Sequence, residues 1–166
     1  MEVKVIKKLT VCFTGHRKIP REYYADIEQR LEKTIVKLIE EGYRYFGAGG
    51  ALGFDTMAAQ AILRLRTRYS MIRLILVLPC VFQTRGWSST DVDEYEKIKS
   101  AADKVVYVSR EYTRDCMFKR NRHLVDNSDV CVCYLTEVRG GTAYTVNYAS
   151  SKGLRIINIG EFGDFD

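Results

Sequence analysis

Three short glycine-containing segments, two of which also carry hydroxyl or basic side chains, each lie between an apolar run and a helical pattern. They read Thr14-Gly15-His16-Arg17, Gly47-Ala48-Gly49-Gly50 and Gly140-Gly141-Thr142. Glycine lets a backbone come close to a phosphate, and a helix start offers free N–H groups and a positive dipole end. In an open parallel sheet such turns gather at one edge, where ligands bind. The sequence therefore predicts a site for a nucleotide-sized or phosphosugar-sized ligand.

The first segment carries the densest mix of functional groups. Gly15 permits a tight turn, Thr14 supplies a hydroxyl, and Arg17 can bind a phosphate through two parallel hydrogen bonds. His16 is a weak candidate for a catalytic base, because the sequence shows no carboxylate to orient it. The alternative is an ordinary strand-to-helix turn in which His16 hydrogen-bonds a backbone carbonyl.

The second segment continues through Gly53 to Asp55. Its spacing is not that of the dinucleotide-binding motif, and it lacks the lysine and hydroxyl residue of a P-loop. Gly49 and Gly50 allow close approach of a ligand. Asp55 can cap the following helix, accept a hydrogen bond from a ribose hydroxyl, or act as an acid or base, and these interpretations remain open.

The third segment is the strongest phosphate-binding candidate. Gly140, Gly141 and the Thr142 hydroxyl stand at a predicted helix start, where backbone N–H groups are free. Glu137 lies just before them. It is a weak candidate for a catalytic carboxylate, as is Asp55, and a surface glutamate is the alternative.

Three further side chains are candidate ligand contacts. Arg120 and Arg122 lie on one predicted helix, but residues two apart do not share a helix face, so one arginine is expected to reach the site. The alternative is a solvated basic face. Trp87 is the single tryptophan, and it either stacks on a base or packs its irregular segment onto the core.

Alternating apolar patterns predict the elements that position these residues. Strands are predicted at residues 3–13, 43–46, 72–78, 104–108, 130–135 and 154–159, and helices at residues 22–41, 54–68, 91–102, 116–127 and 142–152. This alternation predicts an α/β fold with a mostly parallel sheet and helices on both faces. If the first strand is central, the first and third segments meet at the switch point. No repeat or linker divides the chain, which predicts a single domain over residues 1–166.

Composition narrows the classes of function. The net charge of +5 suits an anionic ligand, but the basic residues are spread along the chain, so binding to nucleic acid is not expected from this pattern. No apolar run is long enough for a membrane span. Five cysteines and no secretory signal indicate reduced thiols and a cytoplasmic protein. No second Cys/His pair completes a zinc site, so neither a metal nor a cofactor is expected.

Four motifs resemble the signatures of the YpsA-like family, which is grouped with domains of unknown function. They are VCFTGHR at residues 11–17, GGALGFDT at 49–56, NRHLVDNSD at 121–129 and GGTA at 140–143. The resemblance implies membership of the SLOG superfamily and a Rossmann-like three-layer sandwich. Relatives there include the lonely-guy phosphoribohydrolases and DNA-processing protein A. It also implies a site for a nucleotide or nucleotide derivative.

The resemblance also bears on catalysis. The phosphoribohydrolases carry Met-x-x-Arg-Lys on a helix and a later glycine-rich turn that ends in a catalytic glutamate. Met117 and Arg120 match the first motif, but Asn121 replaces its lysine. In the second motif, Tyr144 and Thr145 stand where the glutamate is expected. The carboxylate that would stabilise an oxocarbenium-like centre is therefore missing from its usual place.

The expected function is that of a cytosolic sensor or regulator that binds a nucleotide derivative such as an ADP-ribose-like molecule. The residues leave open whether the protein is also an enzyme. The alternative function is a nucleotide phosphoribohydrolase in which Asp55 or Glu137 replaces the missing glutamate. A nucleic-acid-binding module is the third hypothesis, and a homo-oligomer is a possible assembly.

Overall fold

The computed structural model describes residues 8–160, and strands and helices alternate throughout them. The strands are β1 (Thr10–Gly15), β2 (Tyr45–Ala48), β3 (Arg73–Leu78), β4 (Lys104–Tyr107), β5 (Val130–Tyr134) and β6 (Arg155–Asn158). The helices are α1 (Arg21–Glu40), α2 (Phe54–Arg66), α3 (Ser89–Ala101), α4 (Cys116–Asp126) and α5 (Gly141–Ser151). Residues 3–7 of the predicted first strand lie outside the described residues.

The strands form one parallel sheet in the order β4-β3-β2-β1-β5-β6. Strand β1 is central, with Cys12 in register with Gly47 of β2 on one side and Cys131 of β5 on the other. The chain winds outward from β1 in both directions, so the sheet has a switch point between β1 and β5. The predicted α/β fold, Rossmann-like with helices on both faces, is confirmed.

Apolar cores form on both faces of the sheet because successive strand residues point to opposite sides. Helices α1, α2 and α3 pack over one face, onto residues such as Phe13 and Phe46. Helices α4 and α5 pack over the other, onto Cys12, Cys131 and Cys133. Strand β5 is buried along its whole length, as expected for a central strand covered on both faces.

Among the helix starts, that of α3 departs most from the prediction. Helix α3 begins at Ser89, two residues earlier than predicted, because the Ser88 hydroxyl caps it by accepting a hydrogen bond from the Asp91 N–H at 3.2 Å. None of the helices between residues 8 and 160 has the length and apolar character that crossing a bilayer requires.

Candidate functional site

A cavity of about 300 Å³ opens at the carboxyl edge of the sheet, where β1 and β5 end. It is lined by Thr14, Gly15, His16, Arg17, Ala51, Asp55, Met117, Arg120, Asn121, Glu137, Arg139, Gly140, Gly141 and Thr142. The first and third glycine segments therefore share one cavity at the switch point. Several other surface cavities are larger, at about 390, 420, 460 and 560 Å³, and of the residues in the three glycine segments only Gly47 lines any of them.

Glycine packs the loop after β1 against the loop after β2. A Cβ atom added to Gly15 would lie 2.5 Å from the Phe54 ring. A Cβ added to Gly53 would overlap the backbone carbonyl of Arg17, and Gly53 also has φ +81°, which disfavours any residue with a Cβ. The two loops can approach this closely only because both positions are glycine.

His16 connects all three loops at this edge. Its carbonyl oxygen accepts a hydrogen bond from the Phe54 N–H at the start of α2, at 3.1 Å. Its Nε2 accepts a hydrogen bond from the Thr136 N–H in the loop after β5, at 3.0 Å, and its ring packs edge-on against Tyr134. The imidazole accepts from an amide rather than donating to a carbonyl. With Nε2 occupied in this way, His16 positions the loops and is not free to act as a base.

Asp55 lies in the first turn of α2 and is buried in the cavity wall. The cap position of α2 is Gly53, so the helix-cap interpretation of Asp55 is wrong. Its carboxylate instead accepts a hydrogen bond from the Ala51 N–H at 3.2 Å. Burial raises the pKa of Asp55, while Arg120, the Ala51 N–H and Arg17 oppose that rise.

Arg120 is a buried cation on the opposite wall, at the α4 side. Its Nη1 donates to the Gly49 carbonyl, its Nε donates to the Asn121 side chain at 2.8 Å, and its Nη2 lies 3.8 Å from the Met117 sulfur. Burial lowers the pKa of Arg120, and the nearby Asp55 opposes that effect. A guanidinium has five N–H donors, so Arg120 retains donors for a ligand after these contacts. Arginine also stays protonated at neutral pH.

The start of α5 provides backbone donors on the third side. Gly140 is the cap residue, with φ +106°, and no side chain caps the helix there. The first N–H groups of a helix have no partner within it. Helix α5 has no acidic residue in its first turn, and its cap is glycine. The other four helices each have a carboxylate at the cap or in the first turn, namely Glu22, Asp55, Asp91 and Asp115.

Four predicted contacts lie outside the cavity lining. Gly49 makes room for Arg120, since a Cβ there would lie 2.6 Å from its Nη1. Gly50, with φ +74°, faces Leu78 and other side chains behind the cavity. The positive charge of Arg122 instead acts on Tyr148 of α5, where it opposes the rise in the pKa of that tyrosine. Trp87 packs edge-on against Tyr95, with ring centroids 5.5 Å apart, and joins the core under α3.

Four residues that line the cavity were not among the candidate contacts from the sequence, namely Ala51, Met117, Asn121 and Arg139, although Met117 and Asn121 fall in the motif compared with the phosphoribohydrolases. Arg139 is exposed and lies beside the third glycine segment. A basic residue directly before a glycine pair at a helix start was the signal for it. Ala51 contributes through the N–H that holds Asp55, and nothing in its residue type indicated this role. Within residues 8–160, no group of three or more His, Cys, Asp or Glu side chains is placed to hold a metal ion.

The fold and the cavity together define a Rossmann-like α/β protein with a candidate ligand site at its switch point. The model of the YpsA family, described as the YspA SLOG family, matches residues 12–156. This chain belongs to that family, which confirms the resemblance drawn from the four motifs.

Similar proteins are found both by sequence and by structure. A UPF0398 protein of Bacillus licheniformis is 27% identical over 126 residues, covering 74% of this chain and 69% of the relative. DNA processing protein A of Helicobacter pylori superposes with a TM-score of 0.64 at 16% identity, over 90% of this chain and 64% of that protein. DNA processing protein A of Streptococcus pneumoniae also superposes with a TM-score of 0.64, at 18% identity. That superposition covers 90% of this chain and 50% of the relative. The chain thus spans only about half to two thirds of these structural relatives.

Proposed function

We propose that this protein binds a phosphate-bearing nucleotide derivative, such as ADP-ribose, in the switch-point cavity and acts as a cytosolic sensor or regulator. The observation that supports this most directly is that the buried Arg120 and the uncapped start of α5 line the same cavity. Buried cations are normally paired, and free helix N–H groups favour an anion. A phosphate would accept hydrogen bonds from the remaining Arg120 donors and from the free N–H groups at the α5 start.

The charges around the cavity favour the same ligand. The lining contains three arginines, Arg17, Arg120 and Arg139, and two carboxyl groups, those of Asp55 and Glu137, so it carries more cations than anions. The volume of about 300 Å³ is at the small end of the range for ligand pockets, which suits a phosphate and its sugar. A cytosolic setting agrees with five cysteines that are all free and buried.

The test compares two arginines of the same helix. Arg120→Met is expected to weaken ADP-ribose binding about tenfold or more, because hydrogen bonds to charged groups contribute about 1.5–3 kcal/mol each. Arg122→Met, the matched control outside the cavity, is expected to change the dissociation constant less than about twofold. Isothermal titration calorimetry measures both, with thermal unfolding as the check on folding. Equal effects of the two substitutions would contradict the proposed site. Arg17→Met, at an exposed position, repeats the test with little risk to folding.

One observation favours a second candidate function, a nucleotide phosphoribohydrolase. Asp55 is buried in the cavity with a raised pKa, and such carboxyl groups are suited to act as general acids. In that reaction Asp55 would protonate the departing base while water attacks the sugar carbon. Glu137 is exposed in the same cavity and is the alternative acid.

Incubation with AMP and chromatography for free adenine tests this second candidate. If Asp55 is the acid, Asp55→Asn should lower adenine release about a hundredfold or more, while Glu137→Gln retains most of it. The reverse pattern would assign the acid to Glu137. No adenine from the wild-type protein above the level of the two variants would exclude the hydrolase.

Structural similarity also bears on nucleic acid as a ligand. The Helicobacter pylori relative is described as having a single-stranded DNA binding mode. The sequence-based expectation that this chain avoids nucleic acid therefore gains no support, although identity this low concerns the fold alone. A single-stranded oligonucleotide belongs in the binding experiments beside the mononucleotides.

A further inference from the structure

A second cavity adjoins the switch-point cavity and has a different character. It has a volume of about 420 Å³ and is lined by Phe82, Gln83, Arg85, Glu111, Tyr112 and Met117. Met117 lines both cavities. A base subsite there requires that a ligand held by its phosphate near α5 extend past Met117 into this second space. The flexible thioether of methionine adapts readily to such a neighbour.

Two aromatic side chains that line this second cavity are unusually exposed to solvent. Phe82 and Tyr112 are each 68% exposed, more than any other aromatic side chain among residues 8–160. Burial of aromatic rings is favourable, and exposed rings at a concave site commonly mark a binding surface. Planar bases stack on such rings in many nucleotide sites, at about 1–3 kcal/mol per base.

Gln83 supplies an independent observation at the same place. Its side chain is only 7% exposed, and neither its amide oxygen nor its amide nitrogen has a hydrogen-bond partner among the described residues. A buried amide without partners destabilises the free protein. An amide offers both a donor and an acceptor, which is the combination that pairs with the edge of adenine.

We propose that this second cavity is the base subsite of the ligand, with the base stacked on Phe82 and Tyr112 and hydrogen-bonded by Gln83. This inference rests on the proposed function, because it places the base relative to a phosphate in the neighbouring cavity. It replaces the expectation that Trp87 stacks on the base. The Trp87 ring packs on Tyr95 in the core and lines neither cavity.

The test compares AMP with ribose 5-phosphate, in which a hydroxyl group replaces the base. Wild-type protein is expected to bind AMP more tightly. Phe82→Ala and Tyr112→Ala should each weaken AMP binding about tenfold while changing the affinity for ribose 5-phosphate less than about twofold. Phe118→Ala is the matched control, since Phe118 is an exposed ring that packs against Tyr144 away from both cavities. It should leave both affinities unchanged.

The substitution Gln83→Leu gives a second test, because it is expected to change stability and AMP affinity in opposite directions. Removing the unpaired amide should raise the melting temperature of the free protein and weaken AMP binding. A lower melting temperature together with unchanged AMP affinity would show that the amide serves the fold, and would overturn its assignment to the base.

The remaining outcomes separate this inference from the proposed function. If both ligands bind and the two aromatic variants behave as wild type, the base lies elsewhere and only the subsite is refuted. If the wild-type protein binds none of ADP-ribose, AMP and ribose 5-phosphate, the proposed function fails and the subsite fails with it. A third outcome is that the protein binds a single-stranded DNA oligonucleotide but not AMP, and that Tyr112→Ala weakens this binding. That result would identify nucleic acid as the source of the base and refute a mononucleotide ligand.

Discussion

Gly141→Trp is expected to abolish ADP-ribose binding while the protein remains folded. Gly141 is the first residue of α5, and a Cβ there meets no atom within 4 Å, so the folded protein has room for a side chain. The proposed phosphate would need that space and the adjacent N–H groups. Loss of two hydrogen bonds to a charged group weakens binding about a hundredfold or more. Calorimetry with ADP-ribose measures the loss, and circular dichroism checks the fold.

The matched control is Gly141→Ala. One methyl group fits the open space, and replacing glycine at a compatible backbone conformation stabilises a protein by about 0.4–1 kcal/mol through the unfolded state. This variant is expected to keep its affinity for ADP-ribose and to melt slightly higher. Unchanged binding by Gly141→Trp would place the phosphate away from the α5 start and refute the proposed arrangement.

Gly53→Ala is expected to cause the largest loss of stability among single glycine substitutions near the site. Its φ of +81° is unfavourable for alanine, and the new Cβ would overlap the rigid backbone carbonyl of Arg17. The backbone at Gly53, with φ +81° and ψ −119°, by itself costs a residue with a Cβ about 1–3 kcal/mol. The backbone overlap adds to that cost, and a total above about 4 kcal/mol is expected, which is exceptional for a point mutation. Urea denaturation measures the free energy of unfolding.

Gly153→Ala separates the two contributions. Gly153 has nearly the same φ, +82°, but a Cβ there meets nothing within 4 Å. Its expected cost is the backbone part alone, about 1–2 kcal/mol. If the two variants lost equal stability, contact between the loop after β1 and the start of α2 would not be what demands glycine at position 53.

Much of the framework could be predicted from the sequence because its signals are local. The continuous apolar run of β5 predicts a buried strand, and the amphipathic spacing of α1 predicts a helix. Each pattern can be recognised within a short stretch of sequence. The glycines at 140 and 141 follow a strand and precede a helix, so their place at a helix start was predictable from order alone. Helix α3 begins two residues before its predicted start, because Ser88 is the residue that caps it.

The side chains that line the cavity were harder to predict. Arg120 and Arg122 are chemically alike and stand on the same helix, and only the rotation of α4 about its axis turns Arg120 inward. His16 carries functional groups suited to catalysis, but the loop after β5 uses its Nε2. That hydrogen bond joins residues 120 positions apart in the chain, and no local pattern specifies such a contact.

The alternation of strands and helices and the three glycine turns could be predicted from local sequence, because hydrophobic period and backbone freedom are properties of neighbouring residues. The tertiary structure alone decided that two of those turns share a cavity, that Trp87 packs in the core, and that Phe82 and Tyr112 remain exposed beside Met117. Those outcomes depend on strand order and on which distant surfaces meet. They result from packing of the whole chain, where burial of apolar area outweighs the preferences of any single segment.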